Sequence, residues 1–268
     1  MQALRHYLLA VQFFTRIPVT GRLADWVGFS PAMLRASAAH LPGVGWIAAG
    51  VAAGVYAALH LALAPNPLGP AVAAVFCTVA TVLLTGGFHE DGLADVADGL
   101  GGSYDRERAL DIMKDSRVGA FGAMALVLAL LAKVSLLAAL GAHSLAAALA
   151  ALVGGHVLSR LWPLFIVHGL PHVGDTARSK SKPLADQISR GALVVAMLWC
   201  LAPLALAWQW GSTASSIAAF ALSALAAAWM GRWFARRLQG FTGDCLGATQ
   251  QIGEIGFYLG AALALGLG

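Results

Sequence analysis

Seven stretches of this chain are apolar and long enough to cross a lipid bilayer, and they limit the fold more than any other feature. A helix needs roughly 20 apolar residues to cross a hydrocarbon core of about 30 Å. The stretches are Leu41–Leu63, Leu68–Phe88, Val118–Leu140, Leu145–His168, Gly191–Trp210, Ser212–Met230 and Gly247–Leu267. Charged residues make up only 11% of the chain. Because backbone in lipid must satisfy its own hydrogen bonds, the sequence predicts an all-α, polytopic integral membrane helical bundle, with about seven transmembrane helices in one domain over residues 1–268.

Basic residues alternate between the two ends of these spans. They precede the first span, and they recur between the second and third, between the fourth and fifth, and after the sixth. The connections around Pro65–Pro67, Gly141–Ser144 and Gly211 carry no Lys or Arg. The positive-inside rule therefore predicts that the charged loops face the cytoplasm. The net charge of +4 is explained by this topology, so we expect no nucleic-acid partner.

The N-terminal run Tyr7–Phe14 is apolar but too short to cross a membrane. It follows only Arg5 and His6, and Arg16 and Pro18 come after it without a small-residue cleavage site. These features argue against a signal peptide. We expect an N-terminal interfacial helix that ends at Pro18.

Acidic residues are concentrated in one segment, which we interpret as a cytoplasmic acidic loop over residues 89–117. Eight of the thirteen lie there: Glu90, Asp91, Asp95, Asp98, Asp105, Glu107, Asp111 and Asp115. The local basic residues are half as many and lie mainly toward the far end of the segment. Because like charges repel, the first half of the segment needs a cation, and a divalent metal is the natural candidate.

The spacing of the acids supports a metal site. Asp91, Asp95 and Asp98 lie at positions i, i+4 and i+7, which share one face of a helix. Mg²⁺ binds one or two carboxylates directly, keeps waters and takes further oxygens from substrate phosphates. We assign Asp91, Asp95 and Asp98 to Mg²⁺ with support from Glu90, and we expect the following glycines to end the helix after Asp98. The repeated spacing of Glu107, Asp111 and Asp115 leaves open whether one or two ions bind.

Other polar residues are candidates for the same face. Lys114, Arg117 and the loop residues Arg178, Lys180 and Lys182 can bind phosphate or serve only as positive-inside anchors. Asp244 and Glu254 lie at and just inside a span, where a carboxylate is costly unless it has a function. His89 can be a ligand, a general base or a helix cap.

The chain resembles the cobalamin synthase family, and the resemblance covers almost its full length. It rests on five motifs and one glutamate: FTRIPV at Phe14–Val19, PGVG at Pro42–Gly45, HEDGLAD at His89–Asp95, IMKDSRVG at Ile112–Gly119, TGDCLGA at Thr242–Ala248, and Glu254. The acidic motif followed by the MKDS block is specific to that family.

The resemblance implies that the chain is an adenosylcobinamide-GDP ribazoletransferase. It also implies a multi-pass protein of the bacterial cell inner membrane with its active site on the cytoplasmic side. Such enzymes condense adenosylcobinamide-GDP with α-ribazole or its 5′-phosphate, release GMP and require Mg²⁺. His89 or Asp115 would accept the hydroxyl proton, and Lys114 and Arg117 would steady the leaving diphosphate. No organic cofactor is expected, and oligomerisation is left open. The substrate-binding candidates are Asp111, Arg16, Arg178, Lys180, Lys182, Asp244 and Glu254.

Three other classes of membrane protein share parts of this pattern. CDP-alcohol phosphotransferases have paired aspartates, which the pairs Asp95–Asp98 and Asp111–Asp115 echo. However, Gly102-Ser103 stands where that family has Ala-Arg, and the distance to the second pair is too short. Membrane prenyltransferases hold their acidic pairs on separate halves of the chain, whereas here both pairs share one segment. A cation transporter would carry its charges near the membrane centre on broken helices.

Overall fold

The computed structural model describes residues 1–174, 188–210 and 213–265. The described chain is helical, and its β structure is limited to an isolated bridge between His172 and Phe241. The prediction of an all-α fold is confirmed. The helices are α1 (Gln2–Phe14), α2 (Gly21–Val27), α3 (Pro31–Ser37), α4 (Leu41–Ala62), α5 (Gly69–Thr85), α6 (Phe88–Gly102), α7 (Arg106–Met113), α8 (Ala120–His143), α9 (Leu145–Leu158), α10 (Trp162–Gly169), α11 (Arg190–Trp210), α12 (Thr213–Arg237) and α13 (Gly243–Leu265), with a 3₁₀ turn at Ala38–His40.

Four helical stretches of the described residues are long and apolar enough to cross a membrane. They are Pro31–Ala62, Ala120–His143, Leu145–Gly169 and Thr213–Arg237. Helices α5 and α6 pass the same test only as a pair, and α6 turns 91° away from α5. The protein is therefore a helical membrane protein with four spans by this measure, or five with the bent pair, fewer than the predicted seven. Helix α11 is apolar over the stretch Arg190–Leu206 that could be assessed, and α13 carries polar side chains in its interior.

Helix α13 lies at the centre of the bundle and packs against α12, α6, α8 and α9. Small residues allow these close contacts: a Cβ on Gly260 would lie 2.3 Å from the carbonyl oxygen of Ala218 on α12. Likewise, a Cβ on Gly45 of α4 would lie 2.6 Å from the carbonyl oxygen of His156 on α9. Close approach of backbones through small residues is the usual way in which membrane helices associate.

The predicted acidic loop contains two helices, α6 and α7, joined by a short turn, and α6 carries Asp91, Asp95 and Asp98 as their spacing predicted. Helix α6 begins after Gly86 and Gly87, which both have a φ of 75°. This left-handed conformation is accessible to glycine without a steric penalty, and two such residues in succession turn the chain sharply. Helix α6 continues to Gly102, so the expectation that it ends after Asp98 was wrong. Gly99 stays helical because it is a packing position: a Cβ there would lie 2.8 Å from the carbonyl oxygen of Ala109 on α7.

Two arginines tie the end of α12 to the α6–α7 turn. Arg237 donates hydrogen bonds to the carbonyl oxygens of Leu100 at 3.2 Å and Ser103 at 2.5 Å. Arg106 donates one to the carbonyl oxygen of Leu238 at 2.7 Å. Two of the basic segments that alternate along the sequence therefore lie at the same end of the bundle.

The N-terminal segment forms a helix, as predicted, but α1 ends at Phe14 and not at Pro18. Its residues Leu9, Val11 and Phe14 are buried against the bundle. The hydroxyl of Thr15 donates to the carbonyl oxygen of Val11 and closes the last turn. Two short helices, α2 and α3, follow before the first long span; the sequence analysis did not anticipate them.

Candidate functional site

The contact between α6 and α13 brings three aspartates to one place. A Cβ on Gly92 would lie 2.7 Å from the carbonyl oxygen of Asp244, so the two helices touch through their backbones at this point. Asp91 and Asp95 of α6 lie on either side of Gly92 in the sequence. Asp91 is exposed, while Asp95 and Asp244 are half-buried. We call these three carboxylates the acidic face.

The acidic face is electrostatically strained. Burial, followed by the charges of Asp244, Asp91 and Asp98, raises the pKa of Asp95 to about 7. Burial also raises the pKa of Asp244, and the charge of Asp91 adds to this effect, whereas the hydrogen bond from the Thr242 hydroxyl opposes it. Mutual repulsion of this kind is relieved when a cation binds between the carboxylates.

The acidic face suits an open magnesium site and not a closed protein cage. Among residues 1–174, 188–210 and 213–265, no three His, Cys, Asp or Glu side chains surround a common point as metal ligands would. Mg²⁺ does not need such a cage, since it binds through one or two carboxylates and completes its shell with waters and phosphate oxygens. One or two of Asp91, Asp95 and Asp244 would suffice for this ion in the presence of a phosphate-bearing substrate.

Asp98 has different surroundings from the other predicted ligands. Its carboxylate accepts hydrogen bonds from the backbone N–H groups of Gly119 at 2.7 Å and Gly122 at 2.8 Å. These groups lie at the start of α8, where helical N–H donors lack partners within the helix. The structure thus gives Asp98 a capping role, which the i, i+4, i+7 spacing did not predict.

His89 and Glu90 lie where α6 meets the bundle interior. His89 is buried, and burial lowers its pKa well below the ordinary value; the positive charge of Arg160 adds to this effect, while Glu254 opposes it. The imidazole is therefore neutral near pH 7, and one of its ring nitrogens can accept a hydrogen bond. Oε1 of Glu90 accepts a hydrogen bond from Gln251 at 3.1 Å, whereas its buried Oε2 has no partner among the described residues.

Glu254 lies at the centre of a buried polar network. Its Oε1 is 2.7 Å from Nζ of Lys133 and accepts a hydrogen bond from the Tyr258 hydroxyl at 2.8 Å. Its Oε2 accepts from Gln250 at 2.7 Å and lies 3.4 Å from Nδ1 of His156. Only 1% of Glu254 is exposed, so protein groups surround this predicted substrate-binding residue. Its contacts in the structure join α8, α9 and α13.

The buried polar network extends to α6 through two adjacent amides that sequence reasoning missed. Gln250 donates to the Ser159 hydroxyl at 2.9 Å, and its side-chain oxygen accepts from Gln251, which also donates to Glu90. Burying two glutamines close to a glutamate within an apolar segment costs free energy unless their polar groups are paired. This pattern in the sequence could have identified Gln250 and Gln251 as members of a buried polar network. Arg160 donates to the carbonyl oxygen of His156 at 2.8 Å.

The predicted catalytic residues after α7 form exposed local ion pairs. Arg117 donates to both oxygens of Asp115, at 2.9 and 3.1 Å from Nε. These hydrogen bonds lower the pKa of Asp115 to about 2, so this carboxylate is a weak proton acceptor at neutral pH. Nζ of Lys114 lies 3.8 Å from Oδ1 of Asp111, and both side chains are more than half exposed.

The remaining predicted substrate ligands fall in two places. The backbone N–H of Arg16 donates to the carbonyl oxygen of Leu84 at 2.7 Å. Its guanidinium lies against the α5–α6 turn, where a Cβ on Gly86 would be 2.5 Å from Nε. Arg16 is therefore next to the start of α6. Arg178, Lys180 and Lys182 lie outside the described residues.

Comparison with known proteins identifies the family. The sequence profile of the cobalamin-5-phosphate synthase family matches residues 6–262. This chain belongs to that family. An adenosylcobinamide-GDP ribazoletransferase of Polaromonas naphthalenivorans is 64% identical over 99% of this chain and all of its own length. Proteins of the same name from another Polaromonas strain and from Leptothrix cholodnii are 63% and 48% identical, over 98% and 96% of this chain and 98% and 94% of their own lengths.

No solved structure matches the chain. The family's sequence motifs can nevertheless be placed on the bundle described here. HEDGLAD forms the first two turns of α6, and TGDCLGA leads into α13. The acidic face of this cobalamin-5-phosphate synthase family member is thus built where two of its motifs meet.

Proposed function

We propose that this chain is an adenosylcobinamide-GDP ribazoletransferase: it joins adenosylcobinamide-GDP to α-ribazole or α-ribazole 5′-phosphate and releases GMP. The observation that carries the proposal is the acidic face, where Asp91 and Asp95 of one family motif meet Asp244 of another. Neighbouring carboxylates, of which Asp95 and Asp244 have raised pKa values, suit the binding of a cation that must also hold a diphosphate.

One or two of Asp91, Asp95 and Asp244 would hold Mg²⁺ together with the substrate diphosphate. When bound, this ion would neutralise the negative charge that develops on the diphosphate oxygens. Glu90 supports the acidic face from its buried side, because Gln251 fixes one of its oxygens and leaves the other available as an acceptor.

The proposed reaction exchanges one phosphoester partner for another. The oxygen of a ribose hydroxyl forms a bond to the phosphorus attached to cobinamide, and the bond from that phosphorus to the bridging oxygen breaks. The bridging oxygen and its electron pair leave with GMP. His89 is the favoured acceptor of the hydroxyl proton, because it lies on α6 two residues before Asp91, whereas the alternative, Asp115, lies beyond α7 and is paired with Arg117. Lys114 and Arg117 would steady the leaving group once their exposed ion pairs with Asp111 and Asp115 open.

We further propose that the site lies at the cytoplasmic side of the bacterial inner membrane. The end of α12 and the α6–α7 turn carry basic residues and lie together, as the positive-inside rule requires of cytoplasmic segments. A cytoplasmic site has direct access to the nucleotide-activated substrate.

Product analysis tests the proposal directly. Purified protein is incubated with adenosylcobinamide-GDP, α-ribazole 5′-phosphate and Mg²⁺, and the products are identified by mass spectrometry. We expect GMP and a cobamide in equal amounts, no GMP without the acceptor, and no reaction in EDTA. Release of CMP from CDP-activated lipids would instead identify a CDP-alcohol phosphotransferase. Ion flux in proteoliposomes without nucleotide turnover would identify a transporter.

A further inference from the structure

An open groove of about 380 Å³ runs between α10 and α12. Both helices belong to stretches that are long and apolar enough to cross a membrane. Phe165 of α10 and Ala228 of α12 line the groove, and both are exposed on the surface of the bundle. None of the lining residues belongs to the acidic face. The groove is therefore a separate surface that lipid can reach.

The two helices that form the groove run side by side in the same direction. The indole N–H of Trp162, at the start of α10, donates to the Ser223 hydroxyl of α12 at 2.7 Å. One turn further along α10, Ile166 lies 3.7 Å from where a Cβ on Gly231 would stand. Ser223 and Gly231 are about 12 Å apart along α12, at a helical rise of about 1.5 Å per residue. The groove is thus an elongated slot along the span, a shape that suits part of an acyl chain.

The lining of the groove is apolar except at one end. Its floor on α12 consists of small residues, and its wall on α10 is aromatic and aliphatic: Ala224, Ala227, Ala228 and Gly231 on α12, and Trp162, Phe165, Ile166 and Leu170 near or on α10. Among the described residues that line the groove, Arg232 alone is charged. The groove therefore combines a hydrocarbon surface with one cationic end.

Arg232 is available to an external anion. Its side chain is exposed, and within residues 1–174, 188–210 and 213–265 no carboxylate forms an ion pair with it. Neither α10 nor α12 contains Asp or Glu. Trp229 and Trp233, on the same turns of α12, are stacked with their ring centroids 5.4 Å apart. Tryptophan concentrates where hydrocarbon meets water, so this part of α12 lies at the depth of lipid headgroups.

We propose that the groove binds one anionic phospholipid of the phosphatidylglycerol type, with an acyl chain between α10 and α12 and its phosphate on Arg232. A guanidinium can donate two parallel hydrogen bonds to a phosphate. A zwitterionic headgroup is disfavoured, because its ammonium would find no carboxylate on either helix. Basic pockets between membrane helices on the cytoplasmic side are typical sites for anionic lipids. Arg237, five residues after Arg232, contacts the α6–α7 turn, which the proposed orientation places in the cytoplasm.

Native mass spectrometry of the detergent-solubilised full chain tests the charge requirement. The protein is titrated with phosphatidylglycerol or phosphatidylcholine that carry the same acyl chains. The wild-type protein should bind one phosphatidylglycerol about fivefold more tightly than phosphatidylcholine, and Arg232→Gln should remove this preference. Arg35→Gln is the control, since it removes an exposed charge from another candidate span and should leave the preference unchanged.

A second pair of variants tests the location of the acyl chain. Ala228→Phe puts a ring into the groove from an exposed position, so it should weaken binding of both lipids severalfold. Leu225→Phe is the control, because Leu225 is 64% exposed on the same helix and does not line the groove. Both variants should keep the wild-type melting temperature in lipid-free detergent, which shows that the fold is intact.

Three results would overturn the inference. They are equal affinity of the wild-type protein for the two lipids, a preference that survives Arg232→Gln, and lipid binding that Ala228→Phe leaves unchanged. A dimer that Ala228→Phe dissociates would instead assign the groove to a second copy of the chain. No substrate is present in these measurements, so they are independent of the product analysis that tests the proposed function.

Discussion

Aspartates with identical side chains have different surroundings in this protein. Asp91 and Asp95 belong to a mutually repelling cluster, Asp98 receives two backbone N–H groups, and Asp115 is paired with Arg117. Removal of the charge should therefore have a different consequence at each position. The three predicted metal ligands on α6 offer the sharpest comparison.

Asp91→Asn and Asp95→Asn should each lower kcat by roughly 10²-fold, because each removes a proposed cation ligand. Neither change should lower the melting temperature, and Asp95→Asn should raise it slightly since a repelling charge is lost. Asp98→Asn should instead destabilise the fold by about 1–3 kcal/mol, because its amide group would face a buried backbone N–H that has lost its acceptor. Steady-state kinetics and thermal unfolding in detergent separate the two outcomes. Equal melting temperatures in all three variants would contradict the capping role of Asp98.

The buried pair Lys133–Glu254 supports a second prediction. Both side chains are at most 2% exposed, so loss of one partner leaves an uncompensated charge in the bundle. Lys133→Met should destabilise the protein by about 3–5 kcal/mol, and adding Glu254→Gln should recover part of that loss. Lys114→Met is the matched control, because the Lys114–Asp111 pair is exposed and should contribute little. A double variant less stable than Lys133→Met alone would show that the negative charge is compensated by other groups.

At the residue scale, the sequence predicted the acidic residues better than it predicted their roles. The i, i+4 spacing correctly placed Asp91 and Asp95 on one helix. It could not distinguish Asp98, because only the packing of α8 over α6 brings Gly119 and Gly122 to that carboxylate. Glu254 stood out as a carboxylate within an apolar segment, but spacing along one helix cannot identify partners on α8 and α9.

At the scale of elements, the α5–α6 turn determines where the acidic face lies. The sequence predicted an apolar segment and a helix carrying the acidic residues after it. It did not predict that Gly86 and Gly87 turn the chain by 91° between the two. The bend depends on backbone conformation, which composition and charge do not report.

Gly86→Ala and Gly87→Ala should each cost about 1–2 kcal/mol of stability, because alanine resists a φ of 75°. Gly86→Ala should also displace Arg16, whose Nε would lie 2.5 Å from the new Cβ, whereas the space around Gly87 is open. Gly54→Ala within α4 is the control: its surroundings are open, and the change should be neutral or stabilising by up to about 1 kcal/mol. Thermal unfolding of the three variants provides the test. Stabilisation by Gly87→Ala would mean that this turn is not left-handed in solution.

At the scale of the whole molecule, the basic end of α12 and the α6–α7 turn lie at the same end of the bundle. Hydrophobicity identified this as a membrane protein and located its helices, but it overestimated how many are long and apolar enough to span. The excess includes α13, whose polar side chains are buried inside the bundle, because hydrophobicity alone does not distinguish a buried core helix from one that faces lipid. The alternation of basic residues is the stronger guide to orientation, because it is read from the connections between helices and does not require the number of spans to be correct.

Cysteine labelling tests that orientation. The three native cysteines, Cys77, Cys200 and Cys245, are buried and should react slowly. Tyr104 in the α6–α7 turn is 95% exposed, and Leu68 at the other end of α5 is 65% exposed. A membrane-impermeant maleimide should label Leu68→Cys in intact spheroplasts and Tyr104→Cys only in inverted vesicles, since the positive-inside rule places the α6–α7 turn in the cytoplasm. Labelling of Tyr104→Cys in intact spheroplasts would reverse the orientation. It would also place the acidic face on the side of the membrane that lacks the nucleotide-activated substrate.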